Sequence, residues 1–317
     1  GEVGQPHRAA PGQRIIATAV PGKRRIPVFH RRRATMAAFL LPAIVVYGLF
    51  MLYPLARGVY LSMTDSLGGP IADFVGAQQY RTMADDPAVT AALWHTVLYA
   101  VVVVVAQNGL GLLFASMLFR RPKVRRALSV VLLTPTLISP VMAAFIWSYL
   151  FAPEGGINAL LDLVGLHGLD HVWLGDTSTA LYSVAAVNIW MFTGYSCAIF
   201  LAGYMNLPAE LLEAAALDGA GGWRRFVGIE WPMLAPALTV NVTLSLIGSL
   251  KVFEFPLVLT NGGPAGATDT LTLLVYRNVF GGGKFAYGVA LSVVLLVTVV
   301  VLSSATSSLL RLRERRI

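Results

Sequence analysis

The sequence predicts an all-α polytopic membrane protein, and three observations lead to that prediction. The 317 residues are 56% hydrophobic but only 13% charged, whereas a soluble domain carries about 25% charged residues. Apolar stretches of about 20 residues, the length that crosses a bilayer as a helix, recur along the chain. Hydrocarbon forces every backbone polar group to bond internally, so these stretches are expected to be α-helices.

Six spans are predicted, and they define the domain organisation. They lie near residues 36–56, 93–119, 128–151, 181–205, 234–259 and 287–309. Together they form a transmembrane domain over residues 34–310, followed by a short basic tail, 311–317. The basic segment 1–33 is rich in Pro, Gly and Arg and holds no long apolar run, so it is expected to be a disordered tail.

Small residues at a spacing of four recur in two spans. Gly111 with Ala115, and Gly194 with Ala198 and Ala202, present strips without bulky side chains. Such strips allow helices to approach closely in a membrane. Prolines at 135 and 140 fall within the third span, where they should free backbone carbonyls and kink the helix.

Basic residues are distributed unevenly between the segments that join the spans. Nineteen Lys and Arg fall in the two tails, the loop at 120–126 and the loop that contains Glu213, against four on the opposite side. Because loops rich in Lys and Arg stay cytoplasmic, both termini and the Glu213 loop are predicted to face the cytoplasm. The net charge of +8 is therefore attributed to topology, not to nucleic-acid binding.

A polar passage between the fourth and fifth spans is the most distinctive feature of the chain. It reads EAAALDGA and is followed at fixed distance by an isoleucine and a proline. Alanines favour a smooth short helix, and the Asp-Gly pair should end it, because glycine adopts positive φ. The residues singled out are Glu213, Ala214, Ala215, Asp218, Gly219, Ala220, Ile229 and Pro232.

Two interpretations of this passage remain open from its chemistry alone. A helix–turn–helix of this kind could enter a groove on another protein. Alternatively, it could be an amphipathic loop that lies on lipid, with Trp223 and Trp231 as interfacial anchors.

Polar residues inside the fourth and fifth spans mark a candidate solute pathway, because such residues are costly in hydrocarbon. Tyr195 lies in the fourth span and Asn241, Ser245 and Ser249 lie in the fifth. Lys251 and Glu254 are three residues apart and are expected to neutralise each other on one helix face. A structural ion pair is the preferred interpretation of these two charges.

None of the motifs that could indicate nucleotide binding, metal binding or catalysis is complete in this chain. Gly281 to Lys284 lacks the glycine spacing of a phosphate-binding loop and has Phe285 at the hydroxyl position. His167 and His171 lack a third ligand, which favours a polar turn over a metal site. The single cysteine, Cys197, excludes a disulfide framework within the chain. No catalytic constellation is recognisable, so the chain is not expected to be an enzyme.

These motifs together resemble the permeases of binding-protein-dependent ABC importers, in particular the MalF/UgpA-like, sugar-importing branch. Glu213 to Gly219, with Ile229 and Pro232, resembles the EAA loop of that family, although Trp231 stands where the family usually has Leu. The resemblance covers residues 36–310. Other segments agree in order and spacing, namely Phe74-Val75-Gly76 with Tyr80, Asn188-Ile189-Trp190, and Leu259 to Pro264 with Thr270, Leu271, Tyr276 and Phe280.

The resemblance implies six transmembrane helices of the type I ABC importer permease kind, in the cytoplasmic membrane of a prokaryote. The coupling loop, 206–232, would dock into an ATPase dimer, and that dimer, not this chain, would bind ATP and Mg. The other implied partners are a second, MalG-like permease and an extracytoplasmic sugar-binding protein. The chain would import a sugar, or a related solute such as glycerol phosphate, by alternating access.

The resemblance also implies residues of the substrate pathway. Tyr195, Ser245 and Ser249 match positions that line a midplane sugar site, and residue chemistry adds Trp190 and Asn241. The alternative function is a stand-alone secondary transporter, which would need an intramembrane carboxylate or histidine for ion coupling. Glu254 is the one acidic residue deep in a predicted span, and its expected pairing with Lys251 disfavours that alternative.

Overall fold

The computed structural model describes Gly1, residues 39–69 and residues 72–314. Predictions for the tail 1–33, for the first residues of the first span and for residues 315–317 lie outside the described residues. The chain divides into two units, Gly1–Pro54 and Leu55–Ile317. The described part of the first unit is helical from residue 39 to residue 54, and all the contacts below lie within the second unit.

Helices account for almost all regular structure in the described residues. The one β contact there is an isolated antiparallel bridge between Thr64 and Phe74. The helices are α1 Phe39–Leu61, α2 Gln78–Ala84, α3 Pro87–Phe119, α4 Pro122–Leu133, α5 Pro140–Leu150, α6 Gly156–Leu163, α7 Ala180–Met205, α8 Ala209–Leu217, α9 Gly222–Met233, α10 Ala235–Leu250, α11 Glu254–Thr260, α12 Leu271–Tyr276 and α13 Phe285–Glu314.

Six spans can be assigned to these helices by length and composition. Four helices, α1, α3, α7 and α13, are each long and apolar enough to cross a membrane without interruption. Two bent pairs qualify when each pair is taken as one span, namely α4 with α5 and α9 with α10. The all-α architecture is therefore present, with four continuous candidate spans and up to six when each bent pair is taken as one.

The third span is not the continuous helix predicted over 128–151. A 3₁₀ turn at Thr134–Leu137 follows α4, and the chain then bends by 97° before α5 begins at Pro140. Proline has no N–H to continue the ladder of the preceding helix. It instead suits a first helical turn. The predicted kink is thus a full change of direction.

The fifth span also departs from its predicted bounds, 234–259. Helix α10 ends at Leu250, and a separate helix, α11, begins at Glu254. At the other end, α9 meets α10 at an angle of 68° beside Leu234. Helix α13 continues through Glu314, so the described part of the predicted basic tail is helical.

Close packing around α7 depends on two glycines. A Cβ at Gly111 of α3 would lie 2.7 Å from the Cβ of Ser196 on α7. A Cβ at Gly194 would overlap the backbone carbonyl of Leu132 at the end of α4. Ala115 has no exposed surface. Gly111, Ala115 and Gly194 are therefore used for close approach, as predicted, whereas Ala202 is exposed.

Contacts at one end of the second unit gather three segments that carry most of the basic residues in the described part of the chain. Arg120, at the end of α3, approaches to 3.5 Å from the position of a Cβ at Gly222 of α9. The guanidinium of Arg313, near the end of α13, lies 4.7 Å from the ring centroid of Trp231. The loop after α3, helix α9 and the end of α13 therefore share one end of the bundle.

Candidate functional site

Helix α8 ends in a glycine turn that the sequence of the polar passage predicts. The N–H of Ala220 donates to the carbonyl of Ala215 at 2.9 Å, and the N–H of Gly219 donates to that of Ala216 at 3.2 Å. Gly219 has φ of +69°. This pair of bonds around a left-handed glycine is the Schellman arrangement, which satisfies the last carbonyls of the helix.

Residues of α8 present an exposed surface that is both apolar and acidic. Glu213, Ala214 and Asp218 are exposed, and Leu217 is 90% exposed. Ala215 faces inward and is buried. An exposed apolar surface with charged neighbours is typical of a docking site for another protein.

The two remaining residues of the motif are separated from this surface. Ile229 and Pro232 lie near the far end of α9 and are partly buried. They precede the 68° bend into α10. The eight predicted residues thus form an exposed helix and turn, followed by a connection that enters the bundle.

The lipid-anchor interpretation of this loop accounts for only one of its tryptophans. Trp223 is 78% exposed. Trp231 is packed between the Arg313 guanidinium and the ring of Phe226, whose centroid is 6.1 Å away. A cation over a tryptophan face is a favourable contact, so the residue that departs from the EAA pattern serves protein packing here.

A cavity of about 560 Å³ lies among α3, α5, α7, α10 and α11. It is lined by four of the five predicted pathway residues, Tyr195, Asn241, Ser245 and Ser249. Trp190 does not line it. The Trp190 ring instead packs edge-on against Trp147, with centroids 5.4 Å apart, so the structure does not bring it together with the other four residues, and its place in the pathway stays a prediction.

The buried polar groups of α10 are largely held by neighbouring backbone. Ser245 Oγ donates to the Asn241 carbonyl at 2.8 Å, and Ser249 Oγ donates to the Ser245 carbonyl at 2.6 Å. Asn241 Nδ2 donates to the Ser196 carbonyl at 3.1 Å. Tyr195 differs, because it is 46% exposed and its hydroxyl has no hydrogen-bond partner among the described residues.

Lys251 and Glu254 both line the cavity, and the expected ion pair between them is wrong. The break after Leu250 places Lys251 at the end of α10 and Glu254 at the start of α11. Within the described residues, no carboxylate lies within 4 Å of the Lys251 ammonium. Each charge has the sign that its helix end favours, so the break stabilises both without pairing them.

Sequence reasoning missed Gln107 as a lining residue, and it had named Asn188 only in a segment that resembles the permease family. Gln107 Nε2 donates to Ser196 Oγ at 2.8 Å, and Asn188 Nδ2 donates to Tyr99 Oη at 2.8 Å. The amide side chain of Gln107 within the apolar sequence of α3 was the feature that could have identified it. Sequence reasoning also missed Glu230, a fully buried carboxylate in α9.

The two histidines of the segment between α6 and α7 contact different carboxylates. His167 Nδ1 lies 2.6 Å from Asp162 Oδ1, and His171 Nε2 lies 3.2 Å from Asp176 Oδ2. Hydrogen bonds from the Ser178 backbone and hydroxyl hold the pKa of Asp176 below its ordinary value. The geometry therefore gives the imidazoles separate partners in a polar loop.

A bundle of apolar helices with an internal polar cavity, and an exposed glycine-ended helix at one end, defines a solute permease. Residues 107–317 match the family described as "Binding-protein-dependent transport system inner membrane component". The chain belongs to this family.

Individual relatives agree with that assignment, and a solved structure shares the fold. The chain is 36% identical to a probable ABC transporter permease protein, YurN, of Bacillus subtilis, over 84% of this chain and 92% of YurN. It is 30% identical to AmyD of Thermoanaerobacterium thermosulfurigenes, a probable starch degradation products transport system permease, over 87% and 94%. A bacterial ABC transporter involved in alginate import has the same fold, with a TM-score of 0.77 at 22% identity, over 90% of this chain and 99% of that one.

Proposed function

We propose that this chain is a permease subunit of an ATP-driven importer and passes a sugar through the cavity lined by Tyr195. The observation that carries the proposal is the continuity from α8 to the cavity. The exposed helix α8 leads through α9 into α10, and α10 supplies Asn241, Ser245 and Ser249 to the cavity. A displacement of α8 would therefore be transmitted along consecutive helices to the residues that line the cavity.

The proposed partners are inferred from the exposed surface of α8 and from the lack of a recognisable phosphate-binding loop in the sequence. No phosphate-binding loop is recognisable in the sequence, so ATP and Mg are assigned to a separate ATPase dimer that receives α8. Because shape and apolar contact dominate docking, Leu217 and Ala214 are the main contacts, with Glu213 as a flanking charge. A second, MalG-like permease and an external sugar-binding protein complete the complex.

The substrate class is supported by the chemistry of the cavity. Hydroxyl, amide, ammonium and carboxylate groups converge there beside the Tyr195 ring, which suits a polyhydroxylated solute with an apolar ring face. The volume, about 560 Å³, lies within the range of small-molecule sites. A mono-, di- or oligosaccharide, or a glycerol-phosphate-like solute, fits this description, and AmyD is named for starch degradation products.

Orientation is proposed from charge. Helix α9 and the segments around Arg120 and Arg313 share one end of the second unit, and these segments carry most of the basic residues in the described part of the chain. Placing that end in the cytoplasm of a prokaryote satisfies the preference of Lys and Arg for the inner side. Both termini are then cytoplasmic, and the segment from α6 to α7 faces outward.

The proposed function is tested by purification of the complex from native membranes. We expect an ATPase and a second permease to copurify with the chain. ATP hydrolysis in lipid should rise when a sugar-loaded binding protein is added. Isolation of the chain alone, under conditions that keep known importer complexes intact, would overturn the proposal.

Substitution of Tyr195 tests the cavity. Tyr195→Ala removes the exposed ring and a free hydroxyl, and loss of a hydrogen bond and a stacking contact is worth on the order of 1.4 kcal/mol, or about tenfold in affinity. We expect the KM for sugar uptake to rise by about that factor while assembly is unchanged. Tyr182→Ala is the matched control, because Tyr182 is a half-exposed tyrosine on the same helix that does not line the cavity. Equal uptake kinetics for the two variants would remove Tyr195 from the pathway.

A further inference from the structure

Glu230 is a buried charge at the junction between the α8–α9 loop and the bundle. Its side chain has no exposed surface. Arg225 Nε donates to Glu230 Oε1 at 2.8 Å, and Arg120 Nη2 lies 3.4 Å from both carboxylate oxygens. A carboxylate buried this deeply requires charged or hydrogen-bonding partners, and two arginines supply them.

The two arginines come from different parts of the fold. Arg225 belongs to the first turns of α9, within the predicted coupling loop. Arg120 caps the end of α3, which lines the cavity through Gln107. Two guanidiniums this close would repel each other without the carboxylate, so Glu230 is what joins the loop to α3.

The backbone of Glu230 leads directly into an apolar cluster that includes residues of α7. Its carbonyl accepts from the N–H of Leu234 at 3.0 Å, and Leu234 is fully buried in an apolar cluster. That cluster also contains Leu118 of α3 and Phe200 and Tyr204 of α7. Apolar surroundings strengthen the neighbouring ion pairs relative to pairs in water.

Other basic residues on these segments do not share this arrangement. In the described part of the chain, the basic residues with a carboxylate within 4 Å at this end are Arg120 and Arg225. Arg121, Lys123, Arg126 and Arg224 are exposed and contribute to the basic charge of this end. The network around Glu230 is thus a specific structure within a generally basic surface.

We propose that Glu230 is a positioning residue for energy coupling, a latch that makes α9 move as one body with the ends of α3 and α7. The inference rests on the proposed function, because it assumes that α8 receives the ATPase. With the latch closed, displacement of α8 is delivered at the bend beside Leu234 into α10 and the cavity. Without it, α9 can yield at its own π-helical turn, Phe226–Glu230, and the displacement is lost.

The test measures sugar molecules taken up per ATP hydrolysed, in vesicles that contain the full complex. Glu230→Gln keeps the shape of the side chain and removes its charge. Residues along a coupling route alter coupling by roughly 2- to 30-fold, so we expect the ATP consumed per sugar to rise by a factor in that range. Glu154→Gln, an exposed carboxylate in another loop, is the matched control and should leave the ratio unchanged.

Two further readouts separate positioning from simple stability. Glu230→Asp keeps the charge and should return the ratio toward the wild-type value. Hydrogen exchange of residues 209–225 in the complex should be faster in Glu230→Gln than in Glu154→Gln. If Glu230→Gln assembles too poorly, Arg225→Gln opens the same latch at a residue with 24% side-chain exposure.

The outcomes distinguish this inference from the proposed function. A wild-type complex without sugar-stimulated ATP hydrolysis contradicts the proposed function, and the latch with it. A coupled wild type with an equally coupled Glu230→Gln variant overturns the latch alone, even if that variant is less heat-stable. A raised ATP-to-sugar ratio that Glu230→Asp reverses supports the latch.

Discussion

Replacement of Gly219 by valine is expected to reduce sugar uptake at least tenfold without preventing membrane insertion. Gly219 has φ of +69°, a backbone conformation that costs a residue with a side chain about 1–2 kcal/mol and a β-branched residue more. The Schellman turn that closes α8 depends on it. We expect at least a tenfold drop in uptake, with permease abundance in the membrane close to that of wild type, because the position is exposed.

Gly221 provides a matched control for this substitution two residues away. It has φ of −60° and ψ of 161°, an extended conformation open to any residue, and a Cβ there would meet nothing within 4 Å. Gly221→Val should therefore retain most of the uptake. If the two variants transport equally well, the shape of the turn is irrelevant to coupling.

Replacement of Gly194 by alanine is expected to reduce the amount of folded complex sharply. Alanine is favoured over glycine in a helix by about 1 kcal/mol, so propensity alone predicts stabilisation. The new Cβ would, however, overlap the Leu132 carbonyl, and a backbone group cannot rotate away. Overpacking typically costs about 1–3 kcal/mol of folding stability, and a clash with backbone is expected at or above the upper end of that range. The cost of the clash therefore exceeds the gain in helix propensity.

The measurement for Gly194→Ala is the yield of monodisperse complex and its melting temperature in detergent. Gly109→Ala is the control, because a Cβ at Gly109 on α3 meets nothing within 4 Å. The control should melt at or slightly above the wild-type temperature. A Gly194→Ala complex as stable as the control would show that α7 and the end of α4 are not held as closely as the structure indicates.

Features that repeat locally along the chain were predictable from its sequence. Apolar length identified the uninterrupted spans, as in α7, Ala180–Met205, predicted over 181–205. Turn chemistry identified the end of α8 at Asp218 and Gly219, because the conformational preference of glycine is a local property. The cavity-lining residues of α10 could be singled out because polar side chains stand out against an apolar background, and their role in a solute pathway stays a prediction.

Features that depend on distant contacts were not predictable in the same way. Lys251 and Glu254 have the spacing of a helical ion pair, and only the break after Leu250 separates them. Trp190 has an aromatic ring that could stack on a sugar, but this ring packs in a T-shaped arrangement against Trp147. Glu230 is held by Arg120, 110 residues earlier, and no local pattern reports such a pair.

The most direct test of the central claim is sugar uptake into vesicles that contain the purified complex. The vesicles are loaded with ATP and Mg, a sugar-binding protein is added outside, and ionophores collapse every ion gradient. We predict that sugar accumulates only when ATP and the binding protein are both present, and that the ionophores have no effect. Uptake that proceeds without ATP and stops when the gradients collapse would contradict the account and identify a secondary transporter instead.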